Sequence, residues 1–250
     1  LSKNTEEINS VNDAFARSTI WGFQIEAKSG NSYLIDATEF AMRDSHMIIS
    51  RLKRQNQGIF KIDNTSSSFD PSFSKNFPLN TEIESFLTFR GEATGGWLNS
   101  VSPSSESFSV RTRHSFVKLP DEGYSPRKFD PRAGYGAMTF YDYASPIDDN
   151  LHVKYIRRHR LKKKYPSQKL SEPVEPIIYY LDRGVPEPVK SALIEGAAWW
   201  NDAFESAGFK NAFQIKVLPE GADLLDVRYN VIQWVHRSTR GWSYGASVVD

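Results

Sequence analysis

The chain has 250 residues, of which 39% are hydrophobic and 24% charged, an ordinary balance for a globular protein of one or two domains. Its formal net charge of +1 favours neither a nucleic-acid binder nor a strongly cationic surface protein. The absence of cysteine excludes disulfides, thiolate metal sites and cysteine nucleophiles, and no apolar run approaches the roughly 18 residues that span a membrane.

The first part of the chain predicts a hairpin and a helix. Residues 1–16 are polar with scattered apolar positions and predict a weakly ordered lead-in. Residues 21–25 alternate with period two and residues 33–36 follow a turn sequence, so together they predict a β-hairpin. A helix is predicted over about residues 39–54. Its buried stripe would consist of Phe40, Ile48, Ile49 and Leu52.

Three further strands are predicted before residue 120. A short one covers residues 59–62, and residues 64–80 are rich in Ser, Asn, Asp and Pro, which predicts a long surface loop. Residues 81–90 and 107–117 alternate with period two and predict two longer strands. On the second of these, His114 shares a face with apolar residues, so we expect a buried, hydrogen-bonded histidine rather than a ligand.

Residues 121–146 are dense in glycine, proline and aromatic residues. Such a segment predicts a structured loop whose rings pack over a core. The alternative is an exposed platform that binds carbohydrate. A last strand of the first domain is predicted at residues 151–156. The aromatic residues of the loop are Tyr124, Phe129, Tyr135, Phe140, Tyr141 and Tyr143.

A basic run follows this strand and leads to the predicted domain boundary. The run indicates either phosphate binding or a solvated linker, and the net charge near zero favours the linker over a nucleic-acid partner. Residues 161–175 predict that linker, between a β-rich domain at residues 1–160 and a second domain at residues 176–250. The run consists of Arg157, Arg158, His159, Arg160, Lys162, Lys163 and Lys164.

The second domain opens with a strand–helix–strand pattern. Residues 177–181 form an apolar run, and residues 189–207 carry apolar side chains at helical spacing. Pro188 suits the start of this helix, and Gly208 suits its end. Residues 213–217 predict the next strand. Because a helix connects the two strands, we expect them to be parallel.

Two more strands are predicted after this crossover. Residues 226–235 form a long run, and residues 243–249 predict a fourth strand. The glycine and polar content of residues 241–245 indicates an edge strand or a bulge. Together with the β-rich first domain, these elements predict an α+β fold.

Most of the chain resembles a known family. The second domain is similar to the opening of a metzincin-like zinc metallopeptidase domain, and the first domain resembles the uncharacterised N-terminal domain of large exported bacterial zinc-dependent metalloproteases. The segments in the second domain are IYYLD (178–182), WWNDAFESAGF (199–209), ADLLDVRY (222–229) and residues 230–244, which include QWVHRS. Those in the first domain are WGF (21–23), LIDAT (34–38), NFPLNTE (76–82), RHSFV (113–117) and FDPRAGY (129–135).

The resemblance implies a fold and an activity. Residues 176–250 would form the first half of a metzincin-like mixed α/β sandwich, in the order strand–helix–strand–strand. The intact parent would hydrolyse peptide bonds in a peptide or protein substrate with zinc-activated water. The intact parent would be an exported bacterial protein that is periplasmic, at the cell surface or secreted. The alternative function is a protein- or glycan-binding module of an exported bacterial protein.

The zinc site of that family is not found in this sequence. The family holds zinc on a helix with two histidines four residues apart, a glutamate directly after the first, and a third histidine further on. None of the five histidines has a histidine four residues later or a glutamate directly after it. We therefore expect the zinc helix downstream of Asp250, in a missing C-terminal part. The chain alone is expected to bind no zinc and to be inactive, with no catalytic or metal residue. The histidines are His46, His114, His152, His159 and His236.

The resemblance also implies a substrate-binding strand. In metzincin-like folds an edge strand before the zinc helix pairs with extended substrate through main-chain groups, so no particular side chain is required. The alternative is that this strand pairs with a neighbouring strand or loop. The candidate residues are Trp242, Ser243, Tyr244, Gly245, Ala246 and Ser247.

Overall fold

The structure is a computed structural model. It shows an α+β fold, as the sequence predicts. Its contacts form two units, residues 18–118 and residues 1–17 together with 119–250. The domain boundary expected at residues 161–175 stays a prediction. Within the described part of the chain, no helix is long and apolar enough to cross a bilayer. The structure describes residues 4–16, 18–120, 123–143, 145–235, 243 and 245.

Helix α1 (Thr5–Ala14) forms where the sequence predicts a weakly ordered lead-in. The Asn4 side chain accepts a hydrogen bond from the Glu6 N–H at 3.1 Å, which caps the helix. Glu6 and Glu7 lie in the first turn, where their charge is favourable to the helix dipole. None of the residues of α1 is buried, so local capping rather than packing defines it.

Residues 18–118 are organised around one long strand. Strand β6 pairs along its length with β7 and, on its opposite edge, with three shorter strands. The two-residue strands β4 and β5 lie in the segment predicted to be a surface loop. The elements are β1 (Ile25–Ser29), β2 (Ser32–Ile35), α2 (Thr38–Ala41), α3 (Ile48–Arg54), β3 (Gly58–Ile62), β4 (Ser68–Phe69), β5 (Lys75–Asn76), β6 (Asn80–Ala93), α4 (Gly96–Val101) and β7 (Ser107–Val117).

One face of this sheet carries the hydrophobic core of the unit. Leu87 and Phe89 of β6 are fully buried, and the Phe89 ring stacks on Phe108 of β7 at a centroid distance of 5.1 Å. Phe60 of β3, Leu52 of α3 and Leu98 of α4 complete the cluster. Burial of each such side chain stabilises the fold by about 1.5–3 kcal/mol.

The opposite face of β6 is polar and also buried. Glu82 and Glu84 are each under 5% exposed. Glu84 forms ion pairs with Arg111 at 3.0 Å and Arg113 at 2.6 Å. Glu82 accepts hydrogen bonds of 2.6 Å from Asn80 Nδ2 and from Ser115 Oγ. The charge of Glu84 is therefore compensated by the two arginines, although its Oε1 accepts no hydrogen bond among the described residues. Such compensation is what a buried charge requires.

The single helix predicted at residues 39–54 is instead two helices, α2 and α3. Met47 has a left-handed backbone, with φ of 52°, directly before α3. The Asp44 carboxylate accepts hydrogen bonds from the N–H groups of Ile48 at 2.8 Å and Ile49 at 2.9 Å. These bonds satisfy two orphan donors of the first turn, so Asp44 starts a new helix where periodicity alone predicts continuity.

The other unit contains a hairpin and a parallel sheet. Strands β8 (Ala137–Tyr141) and β9 (His152–Ile156) pair antiparallel. The three-stranded sheet has the order β11–β10–β12, and both neighbours run parallel to the central strand. The parallel β10–β11 pairing confirms the sequence prediction. The elements are β10 (Ile177–Leu181), α5 (Val189–Ala198), α6 (Trp200–Ser206), β11 (Phe213–Val217) and β12 (Asn230–Ile232).

The crossover helix predicted at residues 189–207 is interrupted at Trp199, which separates α5 from α6. Its predicted end is confirmed. Gly208 has φ of +89°, and the Phe209 N–H donates to the Phe204 carbonyl at 2.8 Å. A glycine suits this position because the left-handed backbone strains other residues.

Hydrogen bonds attach residues 161–175 to the end of this helix. The Ser171 N–H donates to the Gly208 carbonyl at 3.2 Å, and the Lys210 N–H donates to the Ser171 carbonyl at 3.0 Å. Lys163 Nζ donates to the carbonyls of Gln168 at 2.9 Å and Lys169 at 2.7 Å. The segment predicted as a linker is thus an ordered loop beside the parallel sheet.

Candidate functional site

The predicted peptide-binding segment falls largely outside the described residues. Trp242, Tyr244, Ala246 and Ser247 are not described. Ser243 and Gly245 are described as exposed and as lying in no helix or strand. Pairing of this segment with substrate therefore stays a prediction.

The chain that leads toward this segment is held by Asp182, at the carboxyl end of β10. The Asp182 N–H donates to the Ile232 carbonyl at 3.0 Å. Its Oδ1 accepts from the Gly184 N–H at 2.9 Å, and its Oδ2 accepts from the Trp234 N–H at 3.1 Å. One carboxylate thus joins the turn after β10 to the chain after β12, which directs the residues that leave the sheet.

A second carboxylate orders the approach to β12. Asp226 is 4% exposed, and both of its oxygens accept hydrogen bonds from the Arg228 guanidinium, the shortest at 2.6 Å. These bonds hold the pKa of Asp226 below its usual value and raise that of Arg228. Of the strand predicted at residues 226–235, β12 covers only Asn230–Ile232. The tight turn at Asp226 explains why it begins late.

A cleft of about 530 Å³ lies beside β11. One wall is helical, and the opposite wall is formed by the chain that enters β10. The Oδ1 atom of Asn201 is buried there and accepts no hydrogen bond within the described residues. Sequence reasoning missed this cleft, because it depends on which strand forms the sheet edge. Its lining includes Glu172, Pro176, Ile194, Ala198, Phe213 and Lys216.

The described residues do not form a zinc site. His46, His114, His152 and His159 lack the family's spacing, and His236 lies outside the described residues. No group of three histidine or carboxylate side chains in the described ranges is placed to hold a metal. We therefore assign no zinc ligand and no catalytic step to this chain.

His114 is a packing residue on the face that the alternation predicts. It is partly buried, and its ring lies 4.8 Å from the Phe40 centroid. The Arg43 guanidinium lies 4.2 Å from the same Phe40 ring. Burial, together with the charge of Arg43, lowers the pKa of His114. A hydrogen bond between His114 and the Ala41 backbone acts in the opposite direction and agrees with the expected hydrogen-bonded state, whereas the buried Nε2 has no partner among the described residues.

Part of the basic run has a structural role. Arg158 donates to the Ser125 carbonyl at 2.6 Å and lies 5.1 Å from the Tyr124 ring centroid. Arg160 lies 5.8 Å from the same ring. These cation–π contacts and the Lys163 bonds to carbonyl groups attach the run to neighbouring loops.

Three exposed aromatic rings form a row in the same unit. Tyr143 lies between Phe15 and Tyr141, at centroid distances of 6.1 and 6.3 Å. Tyr141 also contacts His152 at 4.3 Å. Each of the three aromatic residues is more than half exposed. By contrast, Phe140 packs against Tyr155 across the hairpin, so only part of the aromatic loop is used for internal packing.

Comparison with known proteins identifies the family of the chain. No curated protein matches the chain, and no solved structure matches it. The matching family model is described as Domain of unknown function (DUF5117) and covers residues 1–164, which include the buried Glu82 and Glu84, the aromatic row and the whole basic run. The chain therefore belongs to the DUF5117 family.

Proposed function

We propose that residues 176–250 belong to a zinc-dependent metallopeptidase domain whose zinc ligands come from residues outside this chain. The observation that carries the proposal is the element order β10, helix, β11 and β12, which matches the expected strand–helix–strand–strand opening. The resemblance of residues 178–182, 199–209 and 222–229 to that family supports it further. The same resemblance supports an exported bacterial location.

In this proposal the chain contributes scaffold and substrate binding. The parallel sheet supports the edge strand at residues 242–247, which pairs with an extended peptide through its main chain. Asp182 orients the chain that leads to that edge through its bond to Trp234. Zinc, when bound by the intact protein, supplies the activated water.

The test compares the protein that the gene encodes with the 250-residue chain. Zinc content is measured by elemental mass spectrometry, and endopeptidase activity is measured on casein. We expect about one zinc per molecule and activity in the gene-encoded protein, and neither in the 250-residue chain.

Two results would overturn the proposal. One is tightly bound, stoichiometric zinc in the 250-residue chain. The other is a gene-encoded protein that binds no zinc and does not hydrolyse casein. Measuring the intact mass of each sample checks that the 250-residue chain and the gene-encoded protein have their expected lengths.

A second candidate function is glycan binding by the aromatic row. Exposed aromatic rings in a contiguous patch mark interaction sites, because their faces are apolar and the tyrosine hydroxyls can hydrogen-bond. On a glycan array, the chain is expected to bind a defined set of polysaccharides, and Tyr141→Ala with Tyr143→Ala to abolish that binding. Equal signals for wild type and variant would count against this function.

A further inference from the structure

Strand β11 has an open edge. Its pairing with β10 is bracketed by two bonds, from the Ile177 N–H to the Ala212 carbonyl at 2.7 Å and from the Leu218 N–H to the Leu181 carbonyl at 2.9 Å. Because main-chain groups alternate in direction along a strand, the even-numbered residues 212–218 bond to β10.

The odd-numbered residues of β11 therefore face away from the sheet. The N–H and C=O groups of Phe213, Ile215 and Val217 have no partner within the described residues, and β11 is the last strand of the described sheet. Unpaired groups of this kind form a template that another extended chain can complete.

The cleft of about 530 Å³ runs beside this edge. Four consecutive residues of β11 line it, so it is open to the strand's edge rather than to one face only. Ile194 and Ala198 of α5 form one wall, and Pro173 and Pro176 contribute to the other. The mainly apolar walls can hold a side chain of a strand that lies along β11.

Polar groups flank this apolar region. The buried Oδ1 of Asn201 is an acceptor without a donor among the described residues. Lys216 and Glu172 also line the cleft. A bound polypeptide offers N–H donors for Asn201, and an acidic side chain on it would complement Lys216.

We propose that the edge of β11 and its cleft bind an extended segment of another polypeptide by strand addition. Main-chain groups of Phe213, Ile215 and Val217 pair with the segment, while one of its apolar side chains enters the cleft. Walls on both sides of the cleft favour a single strand over a whole sheet, and exposed Lys216 opposes unselective edge pairing. The proposal is independent of peptidase activity, since it concerns binding alone.

The probe is selected from random dodecapeptides displayed on phage. The library is panned on the 250-residue chain after depletion on the Val217→Pro variant. Proline removes the outward N–H of Val217 without removing a bond to β10, so the sheet is expected to persist. Val217→Thr keeps the N–H and serves as the matched control.

Binding of a selected synthetic peptide is measured by fluorescence anisotropy. We expect Val217→Pro to weaken it about tenfold or more, which corresponds to ~1.4 kcal/mol, and Val217→Thr to change it less than about twofold. Ala198→Phe, which fills the cleft, is expected to weaken binding as well. Ala192→Phe, on the same helix but outside the cleft lining, is its control.

Hydrogen exchange locates the bound peptide. The amides of Phe213, Ile215 and Val217 are expected to exchange quickly in the free chain and slowly with peptide. N-methylation of alternate peptide residues is expected to weaken binding with period two, as strand pairing requires.

Three results would overturn the proposal. The first is the absence of any peptide that discriminates wild type from Val217→Pro, when circular dichroism shows that the variant is folded. The second is a selected peptide that leaves exchange at residues 213–217 unchanged. The third is protection of those amides by protein concentration alone, with a dimer in sedimentation, since that result assigns the edge to a second copy of the chain.

Discussion

His114 is partly buried and lies near the positive charge of Arg43. Its ring contacts Phe40, the ring on which the Arg43 guanidinium also lies, and His46 adds a further unfavourable charge when protonated. The folded environment therefore favours the neutral imidazole. His114 should consequently be one of the side chains through which acid destabilises this unit.

The first prediction concerns pH. Because the pKa of His114 is lowered in the folded state from 6.5, the unfolded chain binds more protons just below that pH. The contribution of neutral His114 to stability is complete above pH 6.5 and is lost as the pH falls through its lowered folded pKa. Urea unfolding on both sides of pH 6.5 is expected to show a smaller acid-induced loss for His114→Phe than for wild type. Equal losses would contradict this account.

At the scale of elements, two glycines of the crossover helix have opposite roles. Gly208 has a left-handed backbone, and a Cβ there would lie 2.8 Å from the Lys169 carbonyl oxygen. Gly196 lies within α5, and a Cβ there meets nothing within 4 Å. The same substitution should therefore have opposite effects at the two positions.

The second prediction compares these glycines. Gly208→Ala is expected to destabilise the chain by about 1–3 kcal/mol, because it adds backbone strain and a steric contact. Gly196→Ala is expected to stabilise it by about 0.5–1 kcal/mol, because alanine loses less entropy in a helix. Free energies of unfolding from urea titration test both. A stabilising Gly208→Ala would show that the helix does not end as described.

Asp182 connects elements that are far apart in sequence. Its carboxylate bonds to Gly184 and to Trp234, which is 52 residues further along the chain. This side chain therefore helps to set the direction of the chain that leaves the sheet after β12.

The third prediction tests this connection. Asp182→Ala is expected to cost about 1–3 kcal/mol, because it removes two charge-assisted hydrogen bonds. Hydrogen exchange of the Gly184 and Trp234 amides is expected to accelerate. Asp148→Ala, at an exposed loop position, is the control and should change stability by less than about 0.5 kcal/mol. Unchanged exchange at Trp234 in Asp182→Ala would argue against the connection.

At the scale of the whole molecule, several charged side chains are paired with groups inside the fold. The net charge is +1, and several cations have internal partners. Arg111 and Arg113 neutralise buried Glu84, while Arg158 and Lys163 bond to carbonyl groups. The basic run is therefore partly a stabilising feature of the fold.

The proposed zinc binding and peptidase activity also concern the whole molecule. The family match covers residues 1–164, whereas the expected peptidase elements lie beyond them. Zinc content and casein hydrolysis, compared between the 250-residue chain and the gene-encoded protein, test whether a DUF5117 domain and a peptidase domain occur in the same protein.

The sequence by itself determined features that arise from neighbouring residues. Alternation predicts β7 with the bounds that the structure has, Ser107–Val117. The helix between two apolar runs predicts the parallel β10–β11 pair, and Gly208 predicts the end of the crossover. These predictions succeed because side-chain periodicity and backbone sterics act over a few residues.

Only the tertiary structure decided features that depend on residues distant in sequence or on side-chain capping. Asp44 divides a predicted helix, the Asp226–Arg228 pair shortens β12, and arginines of β7 allow Glu84 to be buried. The open edge of β11 likewise depends on β12 pairing with the other side of β10. Strand pairing and charge compensation bring together residues that are far apart in the sequence, and such contacts leave no periodic pattern in it. The candidate cleft is therefore evident only in the folded chain.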